Sequence, residues 1–300
     1  MGWEYESLFN VAQDPDGTQL DIWSAQPTAI RVGRMGYRTR TTIAGERLEA
    51  EVFPIYGRAE AGRARAAKAN VTREAQQRAN DRRAERRLIL LAEANFTRED
   101  YHMTLTYSVE PTEARAKRDI RNFFDRVARI RKRRGLPELK YIYAMGGGDG
   151  AEEKRIHFHL MINGGISREE LEGCWMQTPG AGRVNTDRLQ PNEMGLEELS
   201  RYFFRQHRDR AKRAEGGTTI RRYNASRNLK QPKSRTSDSR CSNARVRRIA
   251  HDIRNEAKSE MERIYPGYRY VDCRVCYSDV IDGVYIRCIM RRNETGGGKQ

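Results

Sequence analysis

The chain is short of histidine, cysteine and proline, and it has no long apolar run. Its 300 residues include five histidines, five cysteines and nine prolines. No stretch of 18 or more apolar residues exists, so no transmembrane helix is expected. The first residues, MGWEYESLFN, have neither a basic start nor an apolar core. They are not read as a secretory signal, and a cytoplasmic location is expected. Cys174, Cys241, Cys273, Cys276 and Cys288 are odd in number and irregular in spacing. That pattern suits reduced thiols in a cytosolic setting rather than a disulfide framework. Cys273 and Cys276 form a CxxC, but no second CxxC occurs, and the surrounding VDCRVCYSD alternates like a strand. Alternation sends the two sulfurs to opposite faces, which disfavours a zinc site. The pattern GxxxxGK followed by Ser or Thr is also absent. No fused helicase is expected, so a helicase would have to come from the host.

Acidic residues are the next shortage. Lys and Arg number 57 against 41 Asp and Glu, a net charge of +16. A protein tolerates such self-repulsion best when its partner is an anion. Nucleic acid is the commonest such partner, with binding driven partly by counterion release. An anionic membrane surface is the runner-up. The excess is concentrated: Arg201–Arg248 holds 16 basic residues and three acidic ones. Within it Arg201, Arg208, Arg221, Arg222, Arg227 and Lys230, with Tyr223 among them, form a composition suited to single-stranded backbone and stacked bases. A solvated flexible loop would look the same.

Hydrophobic patterning organises the rest. Residues 1–57 mix turns such as DPDG with β-prone runs such as RTRTTI and LEAEVFPIY, a small β-rich region. Residues 58–95 lack Pro, hold only Gly62 for Gly, and read as a basic helical segment. DYHMTLTYS alternates as a strand. Ile120, Phe123, Phe124, Val127 and Ile130 repeat at helical spacing within Pro111–Arg134. LKYIYAMGG and IHFHLMIN are further strands, and ISREELEGCW opens with a serine N-cap and Glu170 three residues on. RVNTDRL is a short strand, and GLEELSRYFFRQHRDRAKR a helix over about Gly195–Arg213. Beyond it lie a basic loop, a helix near Val246–Ile264 and a hairpin turning at Asp282–Gly283. This order suits an α+β fold: an antiparallel sheet with helices packed on one side.

Two of the scarce histidines fall in one apolar strand, KRIHFHLMIN at Lys154–Asn163. Residues two apart on a strand share a face. Ile156, Phe158, Leu160 and Ile162 therefore point one way, and His157, His159 and Met161 the other. The two imidazoles start about 7 Å apart at their Cα atoms, close enough to converge on one ion. Two surface histidines would read identically. Downstream, Leu196, Leu199 and Phe203 form a helical stripe with Tyr202 at its edge and Arg205 one turn on. Such a tyrosine is either a core residue with a bonded hydroxyl or a nucleophile.

Taken in order, TLTY, HFH between apolar residues and a helical RYFFR resemble the three motifs of the HUH endonucleases, in the rolling-circle replication initiator branch. NASRNLKQPKS and IYPGYRY resemble stretches of replication-associated proteins from Gram-positive plasmids, phages and integrative elements. The resemblance implies a ferredoxin-like antiparallel sheet over residues 96–215, as a nuclease domain. Residues 1–57 and 58–95 then precede it, and residues 216–300 follow as a basic extension with a helix and a β-hairpin. It implies Mg²⁺ or Mn²⁺ on His157 and His159, with Tyr202 attacking a phosphodiester of single-stranded origin DNA. Arg205 or Arg201 would absorb charge, and Thr104 and Thr106 would belong to the first motif. Host helicase and polymerase would act on the product. The chain departs from the family at two places. The usual third ligand, a glutamate on the strand before HxH, would fall near Met145–Gly146, where neither residue can serve. Asp149, Glu152 or Glu153 in the following loop, His102, or water could stand in. The usual YxxK reads Tyr202 to Arg205, and an arginine fork replaces a point charge.

With a polyanion as the expected partner, affinity for single-stranded DNA should fall by roughly a hundredfold or more between about 50 and 200 mM salt. Fluorescence anisotropy at the two concentrations checks this, and an unchanged affinity contradicts it.

Overall fold

The computed structural model describes residues 36–55, 73–147, 155–213, 222–277 and 283–293. The chain forms two units. One is Ala84–Gln231, and the other joins the described residues through Arg83 to those from Pro232 onward.

The Ala84–Gln231 unit is built on a five-stranded sheet. Its strands are β3 (Tyr101–Tyr107), β4 (Tyr141–Gly146), β5 (His157–Ile162), β6 (Ala181–Arg188) and the two-residue β7 (Asn224–Ala225), in the order β6-β3-β5-β4-β7. Every recorded pairing is antiparallel. Strand β5 is central, and its alternation decides the layering. Phe158, Leu160 and Ile162 join Met103 and Leu105 of β3 in one core. Helix α2 (Glu113–Arg133) lays Ile120, Phe123, Phe124 and Val127 on that core, and α3 (Arg168–Met176) adds Leu171, Cys174 and Trp175. Both helices start as their sequences require. Thr112 Oγ1 accepts from the Arg115 N–H, and Ser167 and Glu170 form a reciprocal capping box.

The opposite face of β5 is also covered. Met161, with Ile142 and Ala144 of β4, lies in a second core with Leu88, Leu91 and Ala92 of helix α1 (Arg73–Asn95), Leu196, and Phe203 and Phe204 of helix α4 (Glu197–Arg213). The histidine face is therefore partly covered: His159 is only 5% exposed, whereas His157 is half-buried.

The SRNLK stretch has a structural reason for its composition. Ser226 exchanges hydrogen bonds with the backbone of Tyr141, and Asn228 donates to the Leu139 carbonyl and Glu138. Leu229 is buried, and Asn95 holds the backbone of Lys230 from both sides. The segment thus closes the β4 edge of the sheet.

The other unit carries a five-stranded antiparallel sheet in the order β8-β1-β2-β10-β9, where β1 is Tyr37–Ala44, β2 Arg47–Pro54, β8 Lys233–Ser237, β9 Tyr268–Tyr277 and β10 Val284–Arg292. Strands near the two ends of the sequence are thus neighbours in one sheet, and β8 comes from the segment read as a basic loop. Cys273 lies in the core opposite Cys288 while Cys276 does not, as alternation requires. Where one helix was expected near Val246–Ile264 there are two, α5 (Asn243–His251) and α6 (Glu256–Ile264). Asp252 makes the break: its backbone is extended, and its Oδ1 accepts from the Arg254 and Asn255 N–H groups in place of a helical turn.

Phe158 is fully buried among the rings of Tyr107, Tyr143 and Trp175. Phe158→Ala should cost about 3–5 kcal/mol, measurable as a shifted denaturant midpoint. A loss under about 1 kcal/mol would show that the core collapses around the gap.

Candidate active site

Three elements bring the site together. β5 presents His157 and His159, β3 presents His102, Thr104 and Thr106, and α4 lies above them with Tyr202 and Gln206. Thr104 pairs with His159 across the sheet, Thr106 with His157, and on the other side Ala144 and Gly146 of β4 pair with the same two histidines. Phe203, fully buried, anchors α4 on this face, with its ring 6.1 Å from that of His159. Because Phe203 points down, Tyr202 is carried to the edge of the stripe, half-buried, where it reaches the imidazole.

The Tyr202 hydroxyl lies 3.0 Å from His159 Nε2, and Thr104 Oγ1 lies 3.1 Å from His159 Nδ1. The phenol is a much stronger acid than the threonine hydroxyl, so we assign it the donor role. His159 then carries its proton on Nδ1, donates it to Thr104, and keeps the Nε2 lone pair. Burial, with the positive potential of His157 and His102 added, pushes the His159 pKa down to about 3. This imidazole is neutral at physiological pH. His157 Nδ1 lies 2.8 Å from the Arg155 carbonyl. A carbonyl only accepts, so that nitrogen is the donor and Nε2 is the ring atom turned toward α4. Both Nε2 atoms face side chains of α4, Tyr202 and Gln206, and the rings stand edge to face with centroids 5.0 Å apart.

Gln206 is a site residue that the motifs did not reveal. Its Oε1 lies 3.3 Å from His157 Nε2, and it sits one turn beyond Tyr202. A helical i, i+4 partner of the tyrosine was the available signal. The same contact explains the glycine on β4. A β-carbon at Gly146 would fall 2.6 Å from His157 Nε2 and 2.9 Å from Gln206 Oε1. A glutamate cannot occupy that position in this arrangement.

The remaining predicted residues divide. Asp149, Glu152, Glu153, Arg221 and the side chain of Arg208 lie outside the described residues. His102 is packed in a near-parallel stack on His159, with ring centroids 5.9 Å apart. Its Nε2 is buried with no hydrogen bond, and burial lowers its pKa against the opposing charge of Asp187. Thr106 Oγ1 donates to the Arg183 carbonyl. Arg205 is exposed, and its charge lowers the Tyr202 pKa, which burial raises more strongly. Arg201 is engaged by Glu197 and Glu85. Tyr223 packs against the α1–α4 core, and burial raises its pKa. Arg222 is half-buried, whereas Arg227 and Lys230 are exposed. Part of the basic excess is internally balanced: Arg245, Arg248 and Arg263 all bind Glu260. Among the described residues no three His, Cys, Asp or Glu side chains cluster as a metal site, and no helix is long and apolar enough to cross a membrane.

Residues 100–213 match the model of the replication-associated protein ORF2/G2P family. The matched stretch runs from β3 to α4 and contains Thr104, His157, His159, Tyr202 and Gln206. The match supports a role in replication initiation, and with it DNA binding. No curated protein and no solved structure matches the chain.

The His159 shift sets a pH dependence of stability in the metal-free protein. The unfolded imidazole protonates near its usual 6.5, the folded one only near 3. Between these values the unfolded chain binds the extra proton. Stability is therefore full above about pH 6.5 and falls as pH drops toward 3, by up to about 1.4 kcal/mol per unit. Denaturant melts at pH 7 and 5 in chelator should show the loss, and His159→Asn should reduce it. An unchanged slope in that variant would place the proton uptake elsewhere.

Proposed function

We propose that the Ala84–Gln231 unit nicks and rejoins single-stranded DNA through a covalent phosphotyrosine on Tyr202, initiating rolling-circle replication of a mobile element. The observation that carries this reading is the 3.0 Å contact between the Tyr202 hydroxyl and His159 Nε2, inside a region matched to replication-associated proteins.

A divalent ion, Mg²⁺ or Mn²⁺, fits the donors present. The Nε2 atoms of His157 and His159 would hold it, with the Gln206 amide oxygen as third ligand. Imidazole nitrogen and amide oxygen suit Mn²⁺, and the oxygen suits Mg²⁺. Gln206 is favoured over His102 because its Oε1 already lies 3.3 Å from His157 Nε2, whereas His102 is stacked on the His159 ring. Bound there, an ion would polarise the scissile phosphate and stabilise its developing charge. The His159 lone pair serves either the phenol or an ion, so Tyr202 leaves this hydrogen bond when the site is loaded.

The protein groups then act in order. Thr104 keeps His159 in the tautomer whose Nε2 faces the site. Arg205, exposed one turn from Tyr202, draws the phosphodiester in and favours the phenolate. The Tyr202 phenol gives up its proton to solvent and its oxygen forms a bond to phosphorus; the bond from phosphorus to the 3′ oxygen breaks, and that oxygen takes a proton from solvent and leaves as a free hydroxyl. The 5′-phosphotyrosine conserves the bond energy, so a 3′-hydroxyl can reverse the step without ATP. Meanwhile the released 3′-hydroxyl can prime a polymerase.

Incubation with single-stranded origin oligonucleotides and Mn²⁺ should give a covalent adduct on a denaturing gel. Tyr202→Phe should abolish it. An adduct retained in that variant removes Tyr202 as nucleophile, and no adduct on any sequence favours a non-catalytic single-strand binder. Gln206→Ala should weaken Mn²⁺ binding by at least about tenfold in calorimetric titration without DNA. An unchanged affinity removes Gln206 from the ligand set.

A further inference from the structure

The histidine face does not end at β5. It continues across β3 to the edge strand β6, where it reaches the surface. His159 pairs with Thr104, and Thr104 pairs with Asn185. The adjoining row is Met161, His102 and Asp187. His159 is buried, whereas Asn185 and Asp187 are exposed. Two strand spacings, about 10 Å, separate the Cα atoms of Asn185 and His159. A nucleotide next to a phosphate held at the histidines would lie over β6.

The chemistry of this strip is specific. Asn185 Nδ2 donates to Asp187 Oδ2 at 2.6 Å. The pair is thereby pre-oriented, with the Asn185 carbonyl oxygen and the second Asp187 oxygen left as adjacent acceptors. A carboxylate repels a phosphodiester but accepts from the N–H groups of a base edge. Two residues earlier the strip changes sign at Arg183, which is exposed. The β3–β6 ladder is irregular there. Gly182 permits the irregularity, since a β-carbon at that position would fall 2.6 Å from the Tyr107 carbonyl carbon. The Arg183 carbonyl accepts from Thr106 Oγ1, and Thr106 pairs with His157. The cation is thus in the row nearest His157, and the acceptors are in the rows beyond.

We propose that the Asn185–Asp187 pair reads one base beside the scissile phosphate, and that Arg183 holds a neighbouring phosphate. The preferred base has donors on its Watson–Crick edge. Guanine, with two adjacent donors, ranks first; thymine, with its single donor flanked by two acceptors, ranks last. This inference rests on the reading of the site as one for single-stranded DNA. The readout is binding, so it does not depend on cleavage.

The test uses the full chain carrying Tyr202→Phe and a pool of randomised single-stranded DNA, with the bound fraction sequenced. One position should favour guanine over thymine by about tenfold. Adding Asp187→Ala should flatten that position. Asp187→Asn keeps the shape but exchanges an acceptor for a donor, and should move the preference toward adenine. Arg183→Ala should weaken all sequences alike and lower the salt slope by about one. No binding, no enriched position, or enrichment unchanged by Asp187→Ala overturns the inference. The wild-type adduct assay separates the two readings. An adduct with a flat base profile keeps the nuclease and removes the base contact, whereas guanine preference without an adduct does the reverse.

Discussion

A neutral, buried imidazole is the constraint on which the site depends. His159 sits on the central strand of its sheet, between Thr104 on one neighbour and Ala144 on the other. Burial removes its proton, and Thr104 and Tyr202 take up its two nitrogens. An imidazole exposed at the surface would spend part of its time charged near neutral pH and could neither accept from a phenol nor bind a cation while protonated. The apolar packing of Met161 and Phe203 is therefore part of the chemistry, because it creates the environment that keeps His159 uncharged.

The same packing explains the unusual feature of the ligand set. In this arrangement Gly146 must lack a side chain, since His157 and Gln206 fill the space a β-carbon would need. A polar oxygen still reaches His157, but it comes from the helix that carries the tyrosine. The proposed nucleophile and the proposed third ligand are then on one rigid element, one turn apart. A shift of α4 moves both together and preserves their relation, which a loop carboxylate would not do.

Charge and shape divide the work between the basic residues. The net excess of +16 draws a polyanion from a distance, yet the arginines do not all remain available. Arg201 is tied to carboxylates beside the site, and Arg245 and Arg248 hold Glu260. Arg205 on α4 and Arg183 on β6 are exposed. The distribution of unneutralised cations, more than their number, would set the path of a strand. In the SRNLK stretch, Ser226, Asn228 and Leu229 fasten the chain to the sheet edge while Arg227 and Lys230 project outward.

Much of this was legible before the structure. The alternation of IHFHLMIN placed both histidines on one face, and the stripe of Leu196, Leu199 and Phe203 placed Tyr202 at its edge. The capping signal of α3 marked its start. These features are local: strand and helix periods act over a few residues, and each side chain's direction follows from its neighbours in the chain. The i, i+4 spacing puts Gln206 on the tyrosine's side of the helix, but nothing within YFFRQ distinguishes an amide aimed at His157 from one aimed at water. The burial of the histidine face, the helix break at Asp252 and the row from His159 to Asn185 were equally hidden. The sequence by itself determined which residues share a face and a net positive charge that favours an anionic partner. Only the tertiary structure decided which faces meet, that β1 and β2 join β10 in one sheet, and that the oxygen near His157 comes from α4. Those outcomes depend on register and contact between segments far apart in the chain, and no local period encodes them.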